Sequence, residues 1–138
     1  MAVHMEVSRI LIRESDDWHV VELREVDGQR TFQIVIGIHE AAAIERRILG
    51  QVPPRPQTHD LLAAVIEKLG YRIKRVVVND LRHDEFGRGT FFARLVLQNG
   101  KDEIDIDSRP SDAIALGVAT DVPIYVEEHV LEDATRAG

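Results

Sequence analysis

The sequence predicts an α+β fold: a single compact domain with a mixed or antiparallel sheet and helices packed on it. Three observations predict it. Runs rich in β-branched residues recur, as in Val7-Ser8-Arg9-Ile10-Leu11-Ile12 and Arg75-Val76-Val77-Val78. Two turn dipeptides, Asp27-Gly28 and Asn99-Gly100, separate such runs as hairpins require. Finally, the order strand, strand, strand, helix occurs twice.

The first strand is read over Met5–Arg13, and Glu14-Ser15-Asp16-Asp17 is a polar turn. Trp18–Glu25 is the second strand, with Val21 and Leu23 on one face, and Thr31–Ile38 the third. His39–Leu49 predicts a helix with Ala42, Ile44, Ile48 and Leu49 as its apolar stripe, stopped at Gly50. The proline-rich run Val52–Gln57 is an extended connector. Thr58 is the expected N-cap of a helix through Leu69. Its apolar face is Leu61, Leu62, Val65, Ile66 and Leu69, and Gly70 ends it.

Tyr71–Asn79 is the fourth strand, Asp80–Thr90 a polar loop, Phe91–Gln98 the fifth strand and Lys101–Asp107 the sixth. A small-residue helix follows the junction Ser108-Arg109-Pro110-Ser111-Asp112. A short strand at Ile124–Val126 and a helix over Glu127–Ala137 close the chain. Ile34-x-Ile36 aligns with Ile104-x-Ile106 at an offset of 104 − 34 = 70, and Val52-Pro53 with Val122-Pro123 at the same offset. We read a duplicated βββα unit within one domain over 5–133, with halves 5–53 and 71–123 joined by the 58–69 helix.

Composition bounds the function. A chain of 138 residues suits one domain, and 44% apolar with 30% charged residues suits a globular protein. The absence of cysteine excludes disulfides, thiolate metal sites and a cysteine nucleophile. No apolar run approaches the roughly 18 residues that cross a bilayer. The opening MAVHMEVSRI has no signal-peptide pattern, so the cytoplasm is the expected location. A net charge of −7 opposes nucleic-acid binding through the global field and leaves it to a local basic patch. Arg46, Arg47, Arg55, Arg72, Lys74 and Arg75 are candidates for such a patch, or are separate solvated cations.

The chemistry concentrates at the strand-to-helix corner Ile104–Pro123. Arg109, Ser111 and Asp112 at a helix N-terminus can clamp a phosphate through guanidinium, hydroxyl and backbone N–H groups. They can equally form a cap, with Ser108 as N-cap, Asp112 on the dipole and Arg109 paired to a carboxylate. Asp105 and Asp107, in a row with Glu103, offer ligands for a divalent cation or protect an edge strand by charge. His59 and Asp60 are an acid–base pair or a plain first turn. His4, His19, His83 and His129 read as surface residues, and 83–88 as a lid or a hairpin excursion. There is no HExxH, Gly-rich phosphate loop, nucleophile elbow or CxxC.

The segments PPRPQTHDLL (Pro53–Leu62), RVVVNDL…GTFFARLVL (Arg75–Leu97) and IDIDSRPSDAIAL (Ile104–Leu116) together resemble the bifunctional nuclease domain family of bacteria and plants. The resemblance covers about residues 5–133. It implies a compact α+β domain, self-association as a dimer or trimer, and DNase and RNase activity. The residues on the matching motif segments are Glu40, Arg55, His59, Asp60, Asp80, Asp107, Arg109, Ser111 and Asp112. The 82–89 loop is longer than the family's usual hairpin there.

Two functions are expected from this. In a metal-assisted nuclease, Asp60, Asp107 and Asp112 hold Mg²⁺ or Mn²⁺ and His59 is the general base. Arg109 and Ser111 stabilise the phosphate, and Glu40, Arg55 and Asp80 assist binding of nucleic acid. In a non-catalytic, oligomeric regulatory module, the same corner is an ion-pair and capping network.

Overall fold

The computed structural model describes residues 1–12 and 19–136. Its strands are β1 (Ala2–Leu11), β2 (His19–Glu25), β3 (Thr31–Ile36), β4 (Arg72–His83), β5 (Gly89–Asn99), β6 (Asp102–Ser108) and β7 (Ile124–Glu127). Its helices are α1 (Ile38–Ile48), α2 (Thr58–Lys68), α3 (Pro110–Thr120) and α4 (Glu128–Arg136). The strands form one sheet in the order β3-β2-β1-β7-β4-β5-β6. Two antiparallel meanders, β1–β2–β3 and β4–β5–β6, flank β7. β7 runs antiparallel to β1 and parallel to β4, so the sheet is mixed and the chain α+β.

Alternation decides the faces. Val21 and Leu23 of β2 lie beside Ile34 and Phe32 of β3, and all four are buried. Val76, Val78, Leu95, Leu97 and Val126 continue this inner face across the sheet. One apolar cluster joins it to all four helices through Ile44, Ile66, Ile114, Leu116 and Leu131. The small residues of α3 allow close approach: a Cβ on Gly117 would lie 3.0 Å from Val76 Cγ2. No helix among the described residues is long and apolar enough to cross a membrane.

The structure corrects several expectations. The predicted loop 80–90 is mostly strand: β4 continues to His83 and β5 starts at Gly89, pairing from Asp80↔Phe92 to His83↔Gly89. Arg82 stacks over Phe92, 4.4 Å from its centroid, across the paired strands. The N-caps are Gln57 and Arg109, one residue off the predicted Thr58 and Ser108. His19 is buried, 5% exposed, not a surface residue. Of the predicted stripe, Ile44 is buried and Ile48 and Leu49 are exposed; α1 buries Ala41 where Ala42 was expected. α2 buries only Ile66 of its predicted face. Gly50 and Gly70 do follow the helix ends, both at positive φ. The predicted turn 14–17, Arg13 and Trp18 lie outside the described residues.

By capping position, Gly37 of α1 corresponds to Arg109 of α3, an offset of 109 − 37 = 72 rather than 70. This register pairs buried Ala41 with Ala113 and buried Ile44 with Leu116. The halves therefore share an order of elements. Their common descent remains an inference from sequence.

Candidate functional site

The N-termini of α1, α2 and α3 border one cleft of about 810 Å³, which also reaches Leu95 of β5 and the end of β6. The cause is topological. Each meander ends on a helix that turns back over the inner face, and α2 packs on α3 between them. Each helix carries an acid at the third position of its first turn: Glu40, Asp60 and Asp112. Carboxylates there oppose the positive helix end. His39 and His59 occupy the second position of α1 and α2, and both line the cleft.

Arg109 joins two of these helix ends. Its Nε donates to Asp112 Oδ2 at 2.8 Å, and its Nη2 donates to Asp112 Oδ1 at 3.1 Å and to Glu40 Oε1 at 3.0 Å. The hydrogen bonds it donates to Asp112, and then the pull of Glu40, hold the guanidinium pKa above its ordinary value. The side chain is still 68% exposed, so it faces the cleft rather than the core. Gly37 makes room for the arrangement, because a Cβ there would collide with the Glu40 carboxylate.

Asp60 is held differently. Its Oδ2 accepts the Gln57 N–H at 2.9 Å in a capping box, and its Oδ1 stands 3.4 Å from His59 Nε2. Asp60 thus fixes the start of α2 and stands beside the histidine.

The remaining expected site residues are spread more widely. Asp107 borders the cleft at the end of β6. It lies opposite Arg94 in the ladder, whereas its neighbour Ile106 lies opposite buried Leu95. By alternation its side chain belongs to the sheet face away from the helices. Among the described residues, no three His, Asp or Glu side chains come together as a metal site, so Asp60, Asp107 and Asp112 are not assembled into one. Ser111 is 7% exposed and does not line the cleft. Arg55 is exposed on the connector.

Asp80 lies elsewhere, with Arg82 Nε at 2.8 Å and His129 of α4 at 3.8 Å. The Arg82 hydrogen bond lowers its pKa. The expected basic patch does not form as a free surface: Lys74 and Arg75 share Glu103, Arg72 donates to Gln98, and Arg47 donates to the Ala119 carbonyl. Sequence reasoning passed over His39 and Gly37. The signal for both was their place at the first corner, one residue and three residues before Glu40.

A model of the bifunctional nuclease domain matches residues 21–137. The chain belongs to the bifunctional nuclease domain family. An uncharacterized protein of Mycobacterium tuberculosis is 41% identical over 130 residues, covering 94% of this chain and 74% of that protein. Bifunctional nuclease 1 of Oryza sativa is 25% identical over 120 residues, 86% of this chain and 36% of the rice protein. Bifunctional nuclease 2 of Arabidopsis thaliana is 33% identical over 79 residues, 55% of this chain and 22% of its own length. The matched part is about three quarters of the mycobacterial protein and between about a fifth and about a third of the plant proteins.

Proposed function

We propose that this bifunctional nuclease domain hydrolyses phosphodiester bonds of DNA or RNA in the cleft between its three helix ends. The observation that supports this most is Arg109, a cation set among helix N-termini with two histidines on the facing helices. Its Nε and Nη2 are used by Asp112 and Glu40, which leaves Nη1 to meet a phosphate oxygen. His59, beside Asp60, removes a proton from the attacking water. The water oxygen bonds to phosphorus, the bond to the leaving oxygen breaks, and His39 returns a proton to that oxygen. Charge that gathers on the phosphate is met by Arg109 and the helix ends.

The carboxylates open to Mg²⁺ or Mn²⁺ in this cleft are Glu40 and Asp112, which already converge on one cation. A bound divalent ion would add Lewis-acid stabilisation of the phosphate. Ser111 supports the corner from within. A cytoplasmic location belongs to the same reading.

The test uses labelled single-stranded DNA and RNA with the purified protein. His59→Ala and Arg109→Met should each slow cleavage by about 100-fold with the fold retained. Cleavage unchanged in both variants overturns the proposal, and an EDTA arm reports whether the activity needs a metal.

A second reading, an oligomeric module in which the Arg109 clamp is structural, is favoured by α2. Leu61, Leu62, Val65 and Leu69 are 58%, 45%, 44% and 72% exposed, and Ile104 and Ile106 of edge strand β6 are also open. A surface of this kind suits a copy of the same chain. Val65→Glu should convert a dimer or trimer into a folded monomer, read by light scattering. A wild-type monomer at high concentration removes this reading.

A further inference from the structure

The sheet face turned away from the helices carries a second concavity, of about 600 Å³. The ladder lays one row of residues across five strands: His4↔Tyr125, Tyr125↔Val77, Val77↔Arg94 and Arg94↔Asp107. His4 and Tyr125 stack with ring centroids 5.2 Å apart. Beside this row stands Asn79, at the register shift of β4 between Val78 and Asp80. Bulges of this kind re-aim a side chain and recur beside binding sites. Asn79 Oδ1 is buried and has no hydrogen-bond partner among the described residues. An acceptor left so is costly and calls for a donor.

Arg94 is the second group without an internal use. It is half-buried in the concavity, next to Val77 and Val96, and makes no hydrogen bond or ion pair among the described residues. Its neighbour Arg75, by contrast, is held by Glu103 at 3.0 Å. The concavity thus combines an unpaired guanidinium, an unmet amide acceptor and the Tyr125 ring, which His4 backs from outside it. Asp105 and Glu127 border it and offer acceptors to hydroxyl groups.

We propose that this outer sheet face binds a nucleotide unit: a base stacked at Tyr125 with an N–H on Asn79 Oδ1, sugar hydroxyls towards the flanking carboxylates, and one phosphate on Arg94. A planar N–H donor and a single anion in one ligand describe a nucleoside monophosphate, free or within a strand. The preference for a nucleotide over another ring-bearing anion rests on the nuclease reading. The site itself is separate from the helix cleft, on the other side of the sheet.

Titration calorimetry on the whole chain tests it with three probes: adenosine monophosphate, a phosphorothioate single-stranded hexanucleotide, and inorganic phosphate. Arg94→Met and Tyr125→Leu should each weaken binding of the monophosphate or hexanucleotide by about tenfold or more. His59→Ala in the cleft should leave it unchanged. Amide shifts in the wild-type NMR spectrum should cluster at Asn79, Arg94 and Tyr125, which covers the case of a poorly folded variant. Tighter binding of the hexanucleotide identifies a strand as the source, and equal binding identifies the free nucleotide. No saturable binding of either, unchanged binding in both variants, or equal binding of phosphate alone overturns the proposal. Loss of cleavage in His59→Ala with intact sheet-face binding, or the converse, tells apart the failures of the two sites.

Discussion

At the α1 corner the N-cap is Gly37 and the third-position acid is Glu40; at the α3 corner, 109 − 37 = 72 residues on, these places hold Arg109 and Asp112. The first corner supplies a carboxylate and an empty space beside it. The second supplies the cation that uses both carboxylates. Helices of matching register are therefore complementary, and the full clamp needs both corners. The sheet ends differ as well. Ile34 of β3 is 4% exposed on the side where α4 packs, whereas Ile104 of β6 is 42% exposed. The same Ile-x-Ile pattern thus builds core in one half and surface in the other.

The largest effect should come from that last contrast. Ile34→Ala removes a buried side chain and should cost about 2–5 kcal/mol in chemical denaturation. Ile104→Ala, at an open position, should cost under ~1 kcal/mol when the chain is monomeric. Equal losses would show that Ile104 is covered in solution, which breaks the contrast and strengthens the oligomeric reading.

The clamp provides the next comparison. Asp112 accepts two hydrogen bonds from Arg109, and Glu40 accepts one. If the cleft is catalytic, Asp112→Asn should slow cleavage by about tenfold or more, and Glu40→Gln by less. Both should leave stability within ~1 kcal/mol, because Arg109, the partner they share, is 68% exposed. A larger effect from Glu40→Gln would mean that Glu40 does more than hold Arg109.

Much of the fold was legible in the sequence because its signals are local. Alternating β-branched runs and the Asp27-Gly28 and Asn99-Gly100 turns give strands and hairpins from neighbouring residues alone. The β4–β5 extension was hidden because Asp80, Arg82 and His83 are polar, and their pairing partners lie on another strand. The apolar face of α2 was legible, but periodicity does not say what covers it. At the site, the residues of the second corner stood out by type. The link from Arg109 to Glu40 spans 69 positions and appears only when the two meanders fold back on one cleft. Asp60 and Asp107 were plausible ligands by residue type, yet local geometry directs one to its own helix cap and the other across the sheet.

Gly37→Ala tests the spatial side of the clamp at smaller expected effect. Gly37 sits at φ −74°, so alanine is acceptable to the backbone. The added Cβ meets the Glu40 carboxylate, the free end of a flexible side chain, which must move aside. Stability should change by under ~1 kcal/mol. The Arg109–Glu40 contact should be lost, and cleavage should fall towards the Glu40→Gln level. Activity equal to wild type would separate Glu40 from the function of Arg109.

The smallest effect concerns the tether that closes the first half. Arg30 donates to Glu25 at 2.8 Å and to Glu128 of α4 at 2.7 Å, tying the β2–β3 hairpin to the last helix. These hydrogen bonds lower both glutamate pKa values below the ordinary 4.5. Depressed carboxylates bind fewer protons in the folded state than in the unfolded one. Their stabilisation is therefore complete above the ordinary value and is lost as the pH falls through the depressed one. Glu103, lowered by Lys74 and then Arg75, behaves the same way in the second half. Acid should thus loosen both ends of the sheet, and salt should weaken the effect in part, because these pairs are only partly buried. Arg30→Met should flatten the acid dependence of Tm in part, leaving the share due to Glu103, Glu22 and Asp80. A Tm profile unchanged by Arg30→Met would place the acid sensitivity in those other carboxylates.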